Sequence, residues 1–181
     1  MSAPAPETLA HPFPPFLPPD ARVLILGSFP SRASRAQGFY YGHPRNRFYP
    51  VLAARFGAAV PPDTAEKQAL LAAHGVALWD VAAACTLCGS ADSSIRSVRP
   101  NDLRPLLSAC PIRRLFTNGH TAARLYDRLL CPLDAPLVGK SGIALESADA
   151  LCLPSTSPAN AAASVSALTE AWRAILPALR P

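Results

Sequence analysis

Lysine is almost missing from this chain. Only Lys67 and Lys140 carry an ammonium group, while fifteen of the seventeen basic residues are arginine. Neither lysine lies in a loop that closes a predicted strand, which disfavours a Schiff-base nucleophile. No run approaches ~18 uninterrupted apolar residues, so no membrane span or membrane partner is expected. The N-terminus has no basic segment followed by an apolar core, so no signal peptide is expected and a cytoplasmic location is. No GxxxxGK(S/T) or GxGxxG follows the first apolar run, which disfavours nucleotide hydrolysis and dinucleotide binding. A GxSxG elbow is absent too. Of the five cysteines, Cys85 and Cys88 form one CxxC, but no second pair follows and the histidines lack zinc spacing. An iron–sulfur cluster would need four converging thiolates. Free thiols are expected instead, with Cys110 and Cys152 in the core, and neither a metal nor an organic cofactor.

What remains is a chain of 181 residues, half apolar and 16% charged, a composition that suits one globular domain. Residues 1–20 are a proline-rich arm without periodicity, expected to dock through Phe13 and Phe16; residues 21–181 form the single domain. The net charge is +5 and the pI is 9.2. Arginine forks bind phosphate oxygens in a bidentate way, so a polyanionic partner fits, as does a merely solvated basic surface.

Buried strands are expected in RVLILGSFP (22–30), GVALWDV (75–81) and RRLFTNG (113–119). Residues 142–147 and 150–154 suggest a hairpin. Helices are expected over 46–56, from a capping box at Asp63 and Glu66 to Gly75, after Asn101 as a cap, over 120–130, and from Pro158 to about Leu176. Residues 86–100 read as a polar loop. Strands alternating with helices predict a three-layer α/β/α sandwich around a four-stranded, mainly parallel sheet.

In such sheets ligands bind beyond the carboxyl ends of the strands. Those ends carry GSFPS and YYGHPRN, then Trp79-Asp80, then Thr117-Asn118-Gly119-His120, then LPSTSPAN. Amides, hydroxyls, aromatic rings and cations in one crevice suit a planar heteroaromatic ring with its phosphates. Each residue also has a plainer role available. Asn46 can be only a helix cap, Tyr40 and Tyr41 core packing, Asp80 an arginine partner, and His43 and His120 local hydrogen-bond partners.

The motifs LILGSFPS…YYGHPRNRFY, GVALWDV…CGSADSSI, RLFTNGHTA and LPSTSPANA, together spanning about residues 22–175, resemble the uracil-DNA glycosylase superfamily, and within it the hypoxanthine-DNA (deoxyinosine) glycosylases. The resemblance implies hydrolytic excision of a deaminated base, hypoxanthine with uracil and xanthine as further candidates, by a monomeric, monofunctional DNA repair enzyme. Its partner would be DNA containing that base. Where most of the superfamily places Asp or Asn, this chain has Phe29. The resemblance assigns catalysis to Asn46 instead. It gives base binding to Phe29, Tyr41, Asp80 and Asn118. DNA contacts fall to Ser31, Arg45, Arg47, His120, Ser155, Thr156 and Ser157, in a last loop that lacks a bulky wedging leucine. Two alternatives stay open: a uracil or mismatch-uracil glycosylase on the same scaffold, and a non-catalytic binder of damaged DNA.

Overall fold

Val23, Leu24, Ile25 and Leu26 are apolar on both sides of their pleat, and that decides where they lie. This strand, β2 (Val23–Gly27), is one of two inner strands of a parallel sheet and is buried throughout. Val23 and Ile25 point into one apolar layer; Leu24 and Leu26 point into the other. A continuous apolar run is what a sheet covered on both faces requires. The computed structural model describes residues 7–87, 95–130 and 150–180. Within them the sheet order is β3-β2-β6-β7, with β3 (Val76–Asp80), β6 (Arg114–Asn118) and β7 (Leu151–Leu153) all parallel to their neighbours. This is the expected four-stranded α/β/α sandwich. Residues 142–147, Lys140, Cys88 and Cys131 lie outside the described residues; the expected second half of that hairpin is β7, paired in parallel with β6.

Helices cover both faces. Leu106 and Leu107 of α4 (Arg104–Ala109) and Leu125 and Tyr126 of α5 (His120–Leu129) fill one layer. Phe48 and Leu52 of α2 (Phe48–Phe56) and Leu71 of α3 (Thr64–Ala73) fill the other, with Leu168 of α6 (Val165–Ala171) and Trp172 and Ile175 of the 3₁₀ turn that follows. A short α7 (Leu176–Leu179) ends the chain's helical part, and α1 (Arg32–Gln37) sits beside the carboxyl end of β2. Half of the expected capping box is seen among the described residues: the Asp63 carboxylate accepts from the Glu66 N–H at 2.9 Å. Gly75, just past α3, has φ of +64°, a conformation that disfavours any side chain.

Three expectations need correction. The last helix begins at Val165 rather than after Pro158, capped by Ser164, because the carbonyls of Ser157, Asn160 and Ala163 turn toward the Arg47 guanidinium instead of into a helical ladder. Val165 is exposed, so the buried stripe starts at Leu168. Residues 86–100 are not one polar loop. They contain the end of β4 (Ala82–Leu87) and β5 (Ile95–Pro100), which with β1 (Glu7–Ala10) form a second, antiparallel sheet in the order β1-β4-β5. Register shifts on β4 and a positive φ at Ser97 break the alternation that would reveal these strands. Finally, Asn101 does not cap α4. Its amide donates to the Asp80 backbone carbonyl at 2.8 Å, and the Asp102 carboxylate takes the Arg104 N–H.

The N-terminal arm is tied into the fold. Phe16 exchanges two backbone hydrogen bonds with Leu78, closing the edge of β3, and Phe13 and Phe16 pack on the α2–α6 layer as expected. Trp172 fixes that layer. It is fully buried, its indole donates to the Pro154 carbonyl at 3.0 Å, and its ring meets Phe48 edge to face at 5.5 Å. Trp172→Ala should cost about 3–5 kcal/mol, the usual range for a large buried aromatic. Chemical denaturation should show this as a lower midpoint at unchanged slope.

Candidate active site

Gly27 stands opposite Asp80 in the β2–β3 register, and the two carboxyl ends open together into a crevice. Beyond Gly27 the chain turns through Ser28-Phe29-Pro30 to Ser31, whose hydroxyl caps α1 by accepting from the Ser34 N–H. Phe29 is nearly buried against Ala82 and Cys85, with the Arg35 guanidinium 5.9 Å from its ring centroid. Phe29 and Ser31 both line the crevice. An aromatic ring therefore stands where a carboxylate or amide would otherwise face it.

Tyr41 has φ of +55°, rare for a residue with a side chain. That turn lays its ring flat on Phe48, with centroids 3.9 Å apart and planes 20° apart. One face of Tyr41 is thereby covered, so a bound planar group has only the opposite face to use. Tyr40, its neighbour, is core: its hydroxyl donates to the Pro14 carbonyl, and burial holds its phenol protonated well beyond the usual range.

Asn46 precedes α2. Its side-chain carbonyl accepts from the Phe48 N–H at 3.0 Å, which fixes the orientation of the amide. Asn46 lines the crevice, and its Nδ2 makes no hydrogen bond among the described residues. Asn46 is thus a cap through one atom and an available donor through the other.

Asp80 is buried at the crevice floor. Burial pushes its carboxyl above the ordinary carboxylate range, against which the hydrogen bond and charge of His11 pull it down. His11 Nε2 lies 2.9 Å from Asp80 Oδ2. On the other side, a side chain at Gly27 would place its Cβ 2.1 Å from Asp80 Oδ1, so this position has no room for one. Both His11 and Gly27 escaped the sequence reading: Gly27 passed as the end of a strand, and nothing in a proline-rich arm marks one histidine as a partner of a residue 69 positions away.

Across the crevice, Asn118 and Thr156 bond reciprocally: Asn118 Nδ2 donates to the Thr156 hydroxyl, and the Thr156 N–H donates to Asn118 Oδ1, each at 2.9 Å. Asn118, Ser155 and Ser157 line the crevice. Thr156 is fully buried and presents nothing to a DNA backbone, which corrects its expected role. Arg47 is corrected too. Its guanidinium donates to the carbonyls of Ser157, Asn160 and Ala163, so it fastens the last loop from behind instead of reaching outward. Arg45 is exposed beside it. His120, also exposed, begins α5 outside the crevice, with Nδ1 3.7 Å from Cys152 Sγ. Cys110 is buried as expected, but Cys152 is half exposed.

The fold and this crevice can be set beside known proteins. Residues 14–178 match the family model of the uracil DNA glycosylase superfamily. A protein of Methanosarcina acetivorans named hypoxanthine DNA glycosylase is 34% identical over 119 residues, 65% of this chain and 75% of that protein. One of the same name from Methanosarcina barkeri is 31% identical over 120 residues, with the same coverage. A solution NMR structure from Methanosarcina acetivorans, provisionally assigned as a uracil DNA glycosylase, aligns with a TM-score of 0.70 at 32% identity, covering 92% of this chain and 96% of that one. The chain belongs to the uracil DNA glycosylase superfamily. It is a monofunctional DNA glycosylase, and its substrate is DNA. No helix among the described residues is long and apolar enough to cross a membrane.

The contrast between neighbouring arginines is testable. Arg47→Met should cost roughly 2–3 kcal/mol of stability, because it leaves carbonyls without their charged donor. Arg45→Met should stay within about 0.5 kcal/mol of the parent, as surface substitutions do. Paired denaturation curves check both.

Proposed function

We propose that this enzyme excises hypoxanthine from deoxyinosine in DNA by water attack, with Asn46 as its catalytic side chain. The observation that carries the reading is the Asn46 amide, pinned through its oxygen and left with an unbonded Nδ2 donor, in a residue that lines the same crevice as Tyr41 and Asp80. The names of the two Methanosarcina relatives support the choice of base.

Breaking an N-glycosidic bond leaves positive charge on the sugar and negative charge on the departing base. A fixed donor aimed at that growing negative charge lowers the barrier without having to reorganise. Asn46 Nδ2 is such a donor, and its orientation is set before substrate arrives. A carboxamide is a poor base, so the water is positioned rather than deprotonated before attack. The flipped base stacks on the face of Tyr41 opposite Phe48, a contact worth about 1–3 kcal/mol for a base on an aromatic ring. Asp80 reads the polar edge of the base, and Phe29 closes the floor. Ser31, Ser155 and Ser157 hold the strand around the extruded nucleotide. Of the two arginines flanking Asn46, Arg45 is the one free to meet a phosphate.

Single-turnover excision on oligonucleotides carrying inosine, uracil or xanthine tests the substrate, with inosine fastest; uracil fastest would refute it. Asn46→Ala should cut inosine excision at least ~10²-fold while DNA binding persists, the usual cost of losing a positioned catalytic donor. Arg45→Ala should lower the salt slope of binding by about one unit, since one phosphate contact releases about one counterion, and Arg47→Ala should leave the slope alone. Borohydride should trap no protein–DNA adduct.

A further inference from the structure

His11 lies in the N-terminal arm, outside the matched family region, yet its imidazole reaches the floor of the crevice. The backbone holds it there: its N–H donates to the Ala83 carbonyl, continuing the pairing of β1 with β4. Phe13, Phe29 and Tyr40 surround the ring at centroid distances of 4.9, 5.9 and 6.1 Å. The His11 and Asp80 side chains are only 6% and 5% exposed.

The hydrogen bonds then fix the protons. His11 Nδ1 is 2.7 Å from the Phe13 carbonyl oxygen. A carbonyl only accepts, so Nδ1 carries the proton of that bond. In a neutral ring, Nε2 is then a bare acceptor. It faces Asp80 Oδ2 at 2.9 Å, and two lone pairs do not meet at that distance in a buried site. A second proton lies between them, as imidazolium with carboxylate or as imidazole with carboxylic acid. In either form it sits on the Oδ2 side. Asp80 Oδ1, the oxygen against Gly27, has no proton and can only accept.

We infer that His11 is a specificity-determining residue: by holding the shared proton at Asp80 Oδ2, it makes the crevice oxygen Oδ1 a fixed acceptor for a lactam N–H. Hypoxanthine, uracil and xanthine carry that N–H. Adenine and cytosine carry an unprotonated ring nitrogen there, which meets Oδ1 lone pair to lone pair. The contact thus separates these deaminated products from adenine and cytosine. Guanine has the same lactam and is not distinguished by it. A buried carboxyl without His11 takes its proton from solvent instead, and an Oδ1–H would donate to adenine.

The other groups around Asp80 do not replace His11 in this role. Burial keeps the Tyr40 phenol protonated and pushes the Cys85 thiol up to about 11, so both stay neutral near pH 7. Arg35, beside Phe29 and Cys85, remains cationic. Tyr41 reaches the same floor beside Gly27.

The inference rests on the proposed reading of Asp80 as the base-edge contact. Its test is competition between free hypoxanthine and free adenine for the complex of the full-length enzyme with an abasic-site oligonucleotide, from pH 5.5 to 8.5. The parent enzyme should prefer hypoxanthine by at least tenfold, with the ratio changing less than threefold across the range. His11→Phe keeps the ring's bulk but cannot hold the proton. Its ratio should fall at least tenfold at pH 5.5 and rise toward the parent's ratio as the pH increases, because burial raises the Asp80 carboxyl and higher pH removes its proton. A folded His11→Phe protein with the parent's ratio at pH 5.5 overturns the inference alone. So does a parent ratio that collapses at low pH, a measurement that needs no variant. A parent without preference for hypoxanthine at any pH overturns the proposed substrate as well.

Discussion

One guanidinium, that of Arg47, joins the two halves of the crevice. It sits at the threshold of α2, immediately after Asn46, and donates to three carbonyls of the segment that follows β7. The Arg47 N–H adds a fourth bond, to the Thr156 carbonyl at 3.0 Å. That segment is irregular, and inside it the Ser157 and Asn160 carbonyls accept only turn bonds, from the Asn160 and Ala163 N–H groups. Charge-assisted bonds are stronger than neutral ones, so the guanidinium fork holds the part-buried loop on this path. Thr156 then closes on Asn118, and the end of β6 is drawn into the same assembly. Four strand ends that could splay are instead held at fixed separations, which is what a site relying on preset dipoles requires.

The sequence revealed best those parts whose surroundings are uniform. β2, β3 and β6 are apolar runs because both their faces are buried, and the run is visible without knowing what buries it. The last helix was misjudged at its start because the competitor for its carbonyls is Arg47, more than 100 positions earlier. β5 was hidden by a bulged register and by Ser97, which erase the two-residue period. The same division runs through the site. Motif positions located Phe29, Ser31, Tyr41, Asn46, Asp80, Asn118, Ser155 and Ser157, all of which line the crevice. They did not tell which atom of each faces it. Arg47 and Thr156 sit inside motifs yet face inward, while His11 sits in none and touches the floor.

That gap has a physical basis. A motif fixes backbone position to within a residue, but hydrogen-bond direction depends on partners that the fold brings from elsewhere. Asn46 shows this most clearly. As a helix cap and as a donor to substrate it seemed to have two competing roles. An amide has a carbonyl and an NH₂ at opposite ends, so the proposed donation leaves the bond to the Phe48 N–H intact. Fastening the oxygen to the Phe48 N–H orients the nitrogen, so the cap is what aims the donor.

Phe29 gives the last step. A carboxylate there would place negative charge beside a base that must leave as an anion, and two like charges a few ångströms apart in a partly dry crevice oppose each other strongly. Phe29 brings no charge, and the acid that does line the floor, Asp80, shares its proton-bearing oxygen with His11. With a shared proton the pair is neutral overall. The crevice therefore meets the departing base with a neutral floor, a neutral aromatic surface and an amide donor, with the Arg35 cation behind Phe29, Arg47 behind the last loop and Arg45 out in solvent. Such an arrangement favours stabilising the leaving group over activating the water. It accounts for the proposed catalytic amide and the absence of an acid at the first loop within one electrostatic requirement.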